Sequence, residues 1–127
     1  MDLDRTPAQI ADTAAEEVRA LCHATHPFKA GWRQPADISD TAHNLALVVD
    51  RLPQALQQLS AGLQDLHDKG AVRDDSGTSV DERVAAARRD LEAVRQALQV
   101  LQEPMRRATA HLSHLGGYLD DDSNDEA

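Results

Sequence analysis

Two long stretches of this chain repeat apolar residues at alternating steps of four and three. In the first, Ile38, Ala42, Leu45, Val49, Leu52, Leu56, Leu59, Leu63 and Leu66 follow one another in this way. In the second, the run is Val80, Val84, Ala87, Leu91, Val94, Leu98, Leu101, Met105, Ala108, Leu112, Leu115 and Leu119. A seven-residue repeat of this kind keeps apolar side chains on one stripe of a helix, as in the seam of a coiled coil. It predicts an all-α fold whose centre is a long antiparallel helical hairpin.

Local signals set the predicted helices at about 7–26, 38–69 and 80–116. Thr6 can cap the first, with Pro7 at its first position and Gln9 as the reciprocal capping-box partner. Pro27 stops it, because the residue before proline avoids the helical region. Asp37 is expected to cap the second helix with Asp40 three residues on, and Gly70 to end it as a left-handed stop. Ser79-x-x-Glu82 predicts a capping box for the third helix, which Gly116–Gly117 ends. Pro53 and Pro104 fall inside the repeats without interrupting them, so they are expected to kink the helices. One domain over 1–119 is expected, followed by a disordered acidic tail over 120–127.

Two helices joined by a turn over 71–78 pack antiparallel, and residues level with each other across the hairpin should sum to about 148. That register sets Val48 level with Val100 and Ala55 with Ala93, a second apolar strip beside the seam. The first helix, about 30 Å long against about 50 Å for each hairpin arm, is expected to cover this open half in a three-helix bundle. The turn half, over about 58–90, is then left without a cover. A bare two-helix arm buries little area, so a homodimer is expected.

Composition narrows the function classes. Phe28, Trp32 and Tyr118 are the only aromatics, so the core must be aliphatic. The net charge is −9, of which the tail from Asp120 to Ala127 carries −5, leaving −4 on the remainder. An acidic body with almost no aromatics lacks both the charge and the stacking platforms that nucleic acid requires, so nucleic acid is not an expected partner. No apolar run approaches the ~20 residues of a membrane span. Cys22 stands alone, which fits a reducing compartment. The segment MDLDRTPAQ is acidic with no apolar signal core, and a cytoplasmic location is expected. Arg far outnumbers Lys, and the whole chain in this respect resembles uncharacterised small helical proteins of high-GC actinobacteria.

Three constellations carry possible chemistry. His23 and His26 are three apart near the end of the first helix, and His111 and His114 near the end of the third. Residues three apart share a helix face, so each pair could offer two imidazoles to one zinc or nickel ion at the open end. The Glu-x-x-His and His-Glu-x-x-His motifs of bundle metalloenzymes do not accompany them. Arg106-x4-His111 and Arg107-x6-His114 resemble the Arg-x(4–6)-His motif of HEPN-domain ribonucleases, which are helical and often dimeric. The resemblance implies that Arg106 and His111 act on an RNA phosphodiester at a dimer interface. Here a second Arg follows where that family commonly has a polar residue, and the acidic body opposes RNA. Gly31-Trp32 resembles the Trp-x-Gly of small secreted helical hairpins, but in inverted order and outside the long hairpin's turn.

Loop aromatics carry a large apolar payload, so Phe28 and Trp32 are expected to plug the end of a bundle, with recognition as the second role of Trp32. Phosphate-binding glycine loops, Cys-x-x-Cys pairs and calcium-loop spacing are missing from the sequence, and no cofactor is expected. The function expected is therefore a non-enzymatic protein–protein interaction module, an adaptor or regulatory protein. Its partner contacts are expected at the Trp32 loop and at the hairpin tip through Arg83 and Arg88. A metal-binding protein and a HEPN-like ribonuclease are the alternatives.

Overall fold

The computed structural model describes residues 3–28 and 31–118. Over the described residues the chain is all-α, with three helices: α1 (Pro7–Ala24), α2 (Pro35–Asp68) and α3 (Val80–Ser113). It divides between Arg33 and Gln34 into two compact units. The expected tail over 120–127, and Leu119 at the end of the second repeat, lie outside the described residues.

In the first unit, α1 starts as its sequence dictates. The Gln9 amide donates to the Thr6 hydroxyl at 3.2 Å, and the Thr6 amide donates to Gln9 Oε1 at 2.9 Å. Two of the amides that a helix start leaves without partners are thus satisfied reciprocally. The helix ends at Thr25, whose hydroxyl donates to the Leu21 carbonyl at 2.7 Å. No residue of α1 is buried.

In the second unit, α2 and α3 pack against each other as an antiparallel hairpin. Helix α2 begins three residues earlier than predicted. Pro35 occupies its first turn, where proline's missing N–H costs nothing, and Gln34 is the cap. Asp37, expected as the cap, sits one turn in and accepts the Gln34 amide at 3.3 Å. At the other end Gly70 adopts φ 72°. The Ala71 amide donates to the Leu66 carbonyl and the Gly70 amide to the His67 carbonyl, both at 3.0 Å. This is a Schellman stop, and it requires the left-handed residue that only glycine supplies without strain. Ser79 caps α3 as predicted, but its side chain makes no capping bond. Both long helices run through their internal prolines, Pro53 and Pro104.

The cross-hairpin register matches the sequence estimate. His67 Nε2 meets Asp81 Oδ1 at 2.6 Å, and Arg88 Nε donates to Ser60 Oγ at 2.9 Å. Both pairs sum to 148 in residue number. At the open end Gly117 passes against Pro35 and Gln34, so closely that a Cβ there would stand 3.3 Å from the Pro35 ring.

The side of each helix that turns inward differs from the prediction. Half of the heptad packs as expected: Ala42, Val49, Leu56 and Leu63 on α2 are half-buried, as are Leu91, Leu98, Met105 and Leu112 on α3, and Val84 is buried. The other inward positions are each one residue further along than the predicted ones. Ser39, Ala46, Pro53, Ser60 and His67 take them on α2, and Arg88, Arg95, Gln102 and Thr109 on α3. The predicted Leu52, Leu59, Leu66, Val94 and Leu101 stand exposed beside the seam instead. A shift of one residue turns a helix by about 100°, so the pairing uses one edge of the apolar stripe and leaves the other edge outside.

Replacing Gly70 with alanine should lower the stability of the hairpin by about 1 kcal/mol, because alanine carries a Cβ into a left-handed conformation. Chemical denaturation of the wild type and Gly70→Ala checks this; an unchanged midpoint would show that the stop is not held in the left-handed region.

Candidate interaction surface

The inward polar residues fix the hairpin. The Arg88 guanidinium donates to Ser60 Oγ and, at 2.7 Å, to Gln64 Oε1. Gln64 in turn donates to Asp68 at 2.7 Å. Nearer the turn, Arg83 Nε donates to Asp74 Oδ2 at 2.9 Å, and its second nitrogen reaches Ser76 and Thr78. The Asp74 side chain is only 4% exposed and also accepts the Ser76 amide and hydroxyl. Bonds from Ser76 and Arg83 to its charged form hold its carboxyl at about 2, below the ordinary 3.8. Arg83 and Arg88, both expected to meet a partner, thus have their donors engaged within the hairpin.

One flank of the hairpin is polar. Asp50, Gln54, Gln57 and Gln58 of α2 line a shallow depression there with Arg95 and Gln99 of α3. Arg95 is paired with Glu92 one turn earlier, and that bond lowers the Glu92 carboxyl and raises the Arg95 guanidinium. The other flank is apolar. On α2 it carries Ile38, Leu52, Leu59 and Leu66, with the half-buried Leu45 completing the spacing of seven. On α3 it carries Ala87, Val94, Leu101 and Ala108 at the same spacing. Leu52 is 40% exposed, Leu59 59%, Leu66 50%, Val94 50% and Leu101 52%.

The second apolar strip predicted beside the open half is not a single strip. Val48 borders the leucine flank, whereas Val100, 73% exposed, stands on the outer surface of α3. In the turn half, Leu59 and Leu66 are exposed. The rotation of each helix accounts for this: residues predicted for the seam form the flank.

His43 Nδ1 donates to the Ser39 carbonyl at 2.8 Å, and Ser39 Oγ lies 3.4 Å from the same nitrogen. A carbonyl can only accept, so Nδ1 holds the proton and cannot activate the Ser39 hydroxyl as a base. His26 accepts the Phe28 amide at 3.3 Å and has the Phe28 ring 5.4 Å away. Phe28, expected to plug a bundle end, is exposed, and Trp32 is 41% exposed. His23 lies in the last turn of α1, His111 in the last turn of α3, and His114 is the α3 cap. Among the described residues no group of three or more His, Cys, Asp or Glu is placed to hold a metal ion. Arg106 is tied to Glu103. Five residues along a helix is a rotation of about 140°, so Arg106 and His111 leave α3 on different faces.

The chain matches no protein-family model, no curated protein and no solved structure. Among the described residues no helix is long and apolar enough to cross a membrane.

The depressed Asp74 has a consequence in acid. A carboxyl held below its unfolded value stabilises the fold above pH ~4, and that contribution disappears as the pH falls through about 2. Asp74→Asn should therefore melt below the wild type at pH 6, and the two melting temperatures should converge as the pH approaches 2. A constant gap from pH 6 to pH 2 would show that the charge of Asp74 contributes nothing.

Proposed function

We propose that this chain is a non-enzymatic helical interaction module, an adaptor or regulatory protein that docks a helical partner along the leucine flank of its hairpin. One observation carries the reading: a seven-residue apolar repeat faces outward on both helices at once. Isolated apolar residues on a surface are ordinary, but a continuous row with helical spacing is the counterpart of another helix. Helices that touch a single neighbour need a narrow stripe, whereas helices of a larger bundle need a wide one that serves two neighbours. The stripe here has the wide form, and the hairpin uses one edge of it.

The energetics agree. Fully burying a leucine or valine side chain is worth about 1.5–3 kcal/mol, so covering a half-exposed one gains about 1 kcal/mol. Five such residues supply several kcal/mol, enough to matter to a hairpin whose only buried hydrophobic side chain among the described residues, apart from Pro53, is Val84. The flank is preferred to the tip as the docking surface because Arg83 and Arg88 are already bonded inside the hairpin. Trp32 stays a candidate contact in the first unit.

The test is a comparison of faces. Wild-type protein, Leu52→Glu/Leu59→Glu and Gln57→Glu/Gln99→Glu are cross-linked in the native host's extract, and the adducts are mapped by mass spectrometry. The reading expects adducts on wild type and the glutamine variant that are lost from the leucine variant. Adducts that survive in the leucine variant would refute it.

A further inference from the structure

We propose that the leucine flank is covered by a second copy of this chain, two hairpins closing face to face into a four-helix bundle. The inference rests on the interaction-module reading and names its partner.

Size is the first argument. The row from Ile38 to Leu66 runs about 42 Å along α2, and two helices packed side by side present a face about 18–20 Å wide. The product, about 800 Å² per protomer, is the area each partner contributes to a stable dimer. Helix α1, with 18 residues, spans only about 27 Å and is too short to cover such a row.

Charge is the second. Identical chains of net charge −9 repel, least where the contact itself carries no charge. The row carries no charge on either helix, and its neighbours in the middle of the hairpin are Val48, Ala55 and Gly62 on α2 and Ala97 on α3, with one carboxylate, Asp90, which pairs with Arg89. Asp50, Glu92 and Arg95 lie on the opposite flank.

Shape is the third, and it selects the arrangement. The α2 row is all leucine and isoleucine, while the α3 row includes alanine and valine. Large residues pack best opposite small ones. A two-fold axis parallel to the helices sets α2 of one copy against α3 of the other, with every neighbouring pair antiparallel and both hairpin turns at the same end. An axis across the helices would set leucine row on leucine row and put the turns at opposite ends.

Sedimentation equilibrium of the full chain in a Cys22→Ser background, at up to about 100 µM, tests the pairing. A dimer is expected for the wild type and for Gln57→Glu/Gln99→Glu. Self-association at least ~100-fold weaker is expected for Leu52→Glu/Leu59→Glu, with unchanged helix content by circular dichroism, since both leucines lie outside the hairpin seam. If that variant does not fold, Leu59→Gln alone takes its place. A spin label at Asp75→Cys reads the arrangement: turns at the same end lie within about 30 Å, and turns at opposite ends about 50 Å apart. A monomeric wild type, a leucine variant that stays dimeric, or the longer distance each overturns the proposal. A monomer that loses its cross-linked partner in the leucine variant would leave the interaction-module reading standing and remove only the self-pairing; a monomer with no partner would remove both.

Discussion

Arg88 reaches across the hairpin to Ser60 and Gln64, and His67 reaches to Asp81. These polar bonds accompany a choice that the apolar pattern alone leaves open, namely which edge of a wide stripe is turned inward. With Arg88 and Ser60 facing each other, Ser60 and not Leu59 occupies the inner position, and the same step of one residue repeats along both helices. The leucines are displaced to the flank by this rotation. The thin seam of Ala42, Val49, Leu56 and Leu63 against Val84, Leu91, Leu98 and Met105 then holds the hairpin, and Leu52, Leu59, Leu66, Val94 and Leu101 stay exposed.

Much of the architecture was legible from single residues because their effects are local. Thr6 and Gln9 make a capping box wherever a helix begins with them. Gly70 stops α2 because a left-handed residue was needed there. The antiparallel register followed from the short turn, and His67–Asp81 bears it out. Helix α2 starts three residues before the position that the Asp37 signal sets, because proline is as favourable in its first turn, at Pro35, as Pro7 is in α1. Ser79 caps α3 without its side chain, and nothing in the structure explains why Glu82 does not complete the box.

The surface was legible as residues and not as a surface. A stripe of heptads with both Val49 and Leu52 in it satisfies the pattern whichever edge packs, since the periodicity is the same for a seam and for a row displaced by one residue. The discriminating signal lay in the polar residues beside the stripe. Ser60, His67, Arg88, Arg95 and Gln102 also recur at heptad spacing, shifted by one, and each can be satisfied only by a partner across the hairpin or by its own helix. Arg83 and Arg88 were expected to serve a partner because their charge is visible in the sequence; the Asp74, Ser76 and Gln64 groups that hold them are not adjacent in sequence and became apparent only with the turn folded.

The central claim is that Ser60 faces α3 while Leu59 faces away from it. Thiol labelling of single cysteines at 59 and 60, in a Cys22→Ser background and in dilute solution, reads this directly. The account predicts that Leu59→Cys labels quickly and Ser60→Cys slowly, and that raising the protein concentration slows labelling at 59 while the exposed position of Gln58→Cys stays fast. Slow labelling at 59 together with fast labelling at 60 in dilute protein would contradict it, because the leucine row would then be the seam of the hairpin itself.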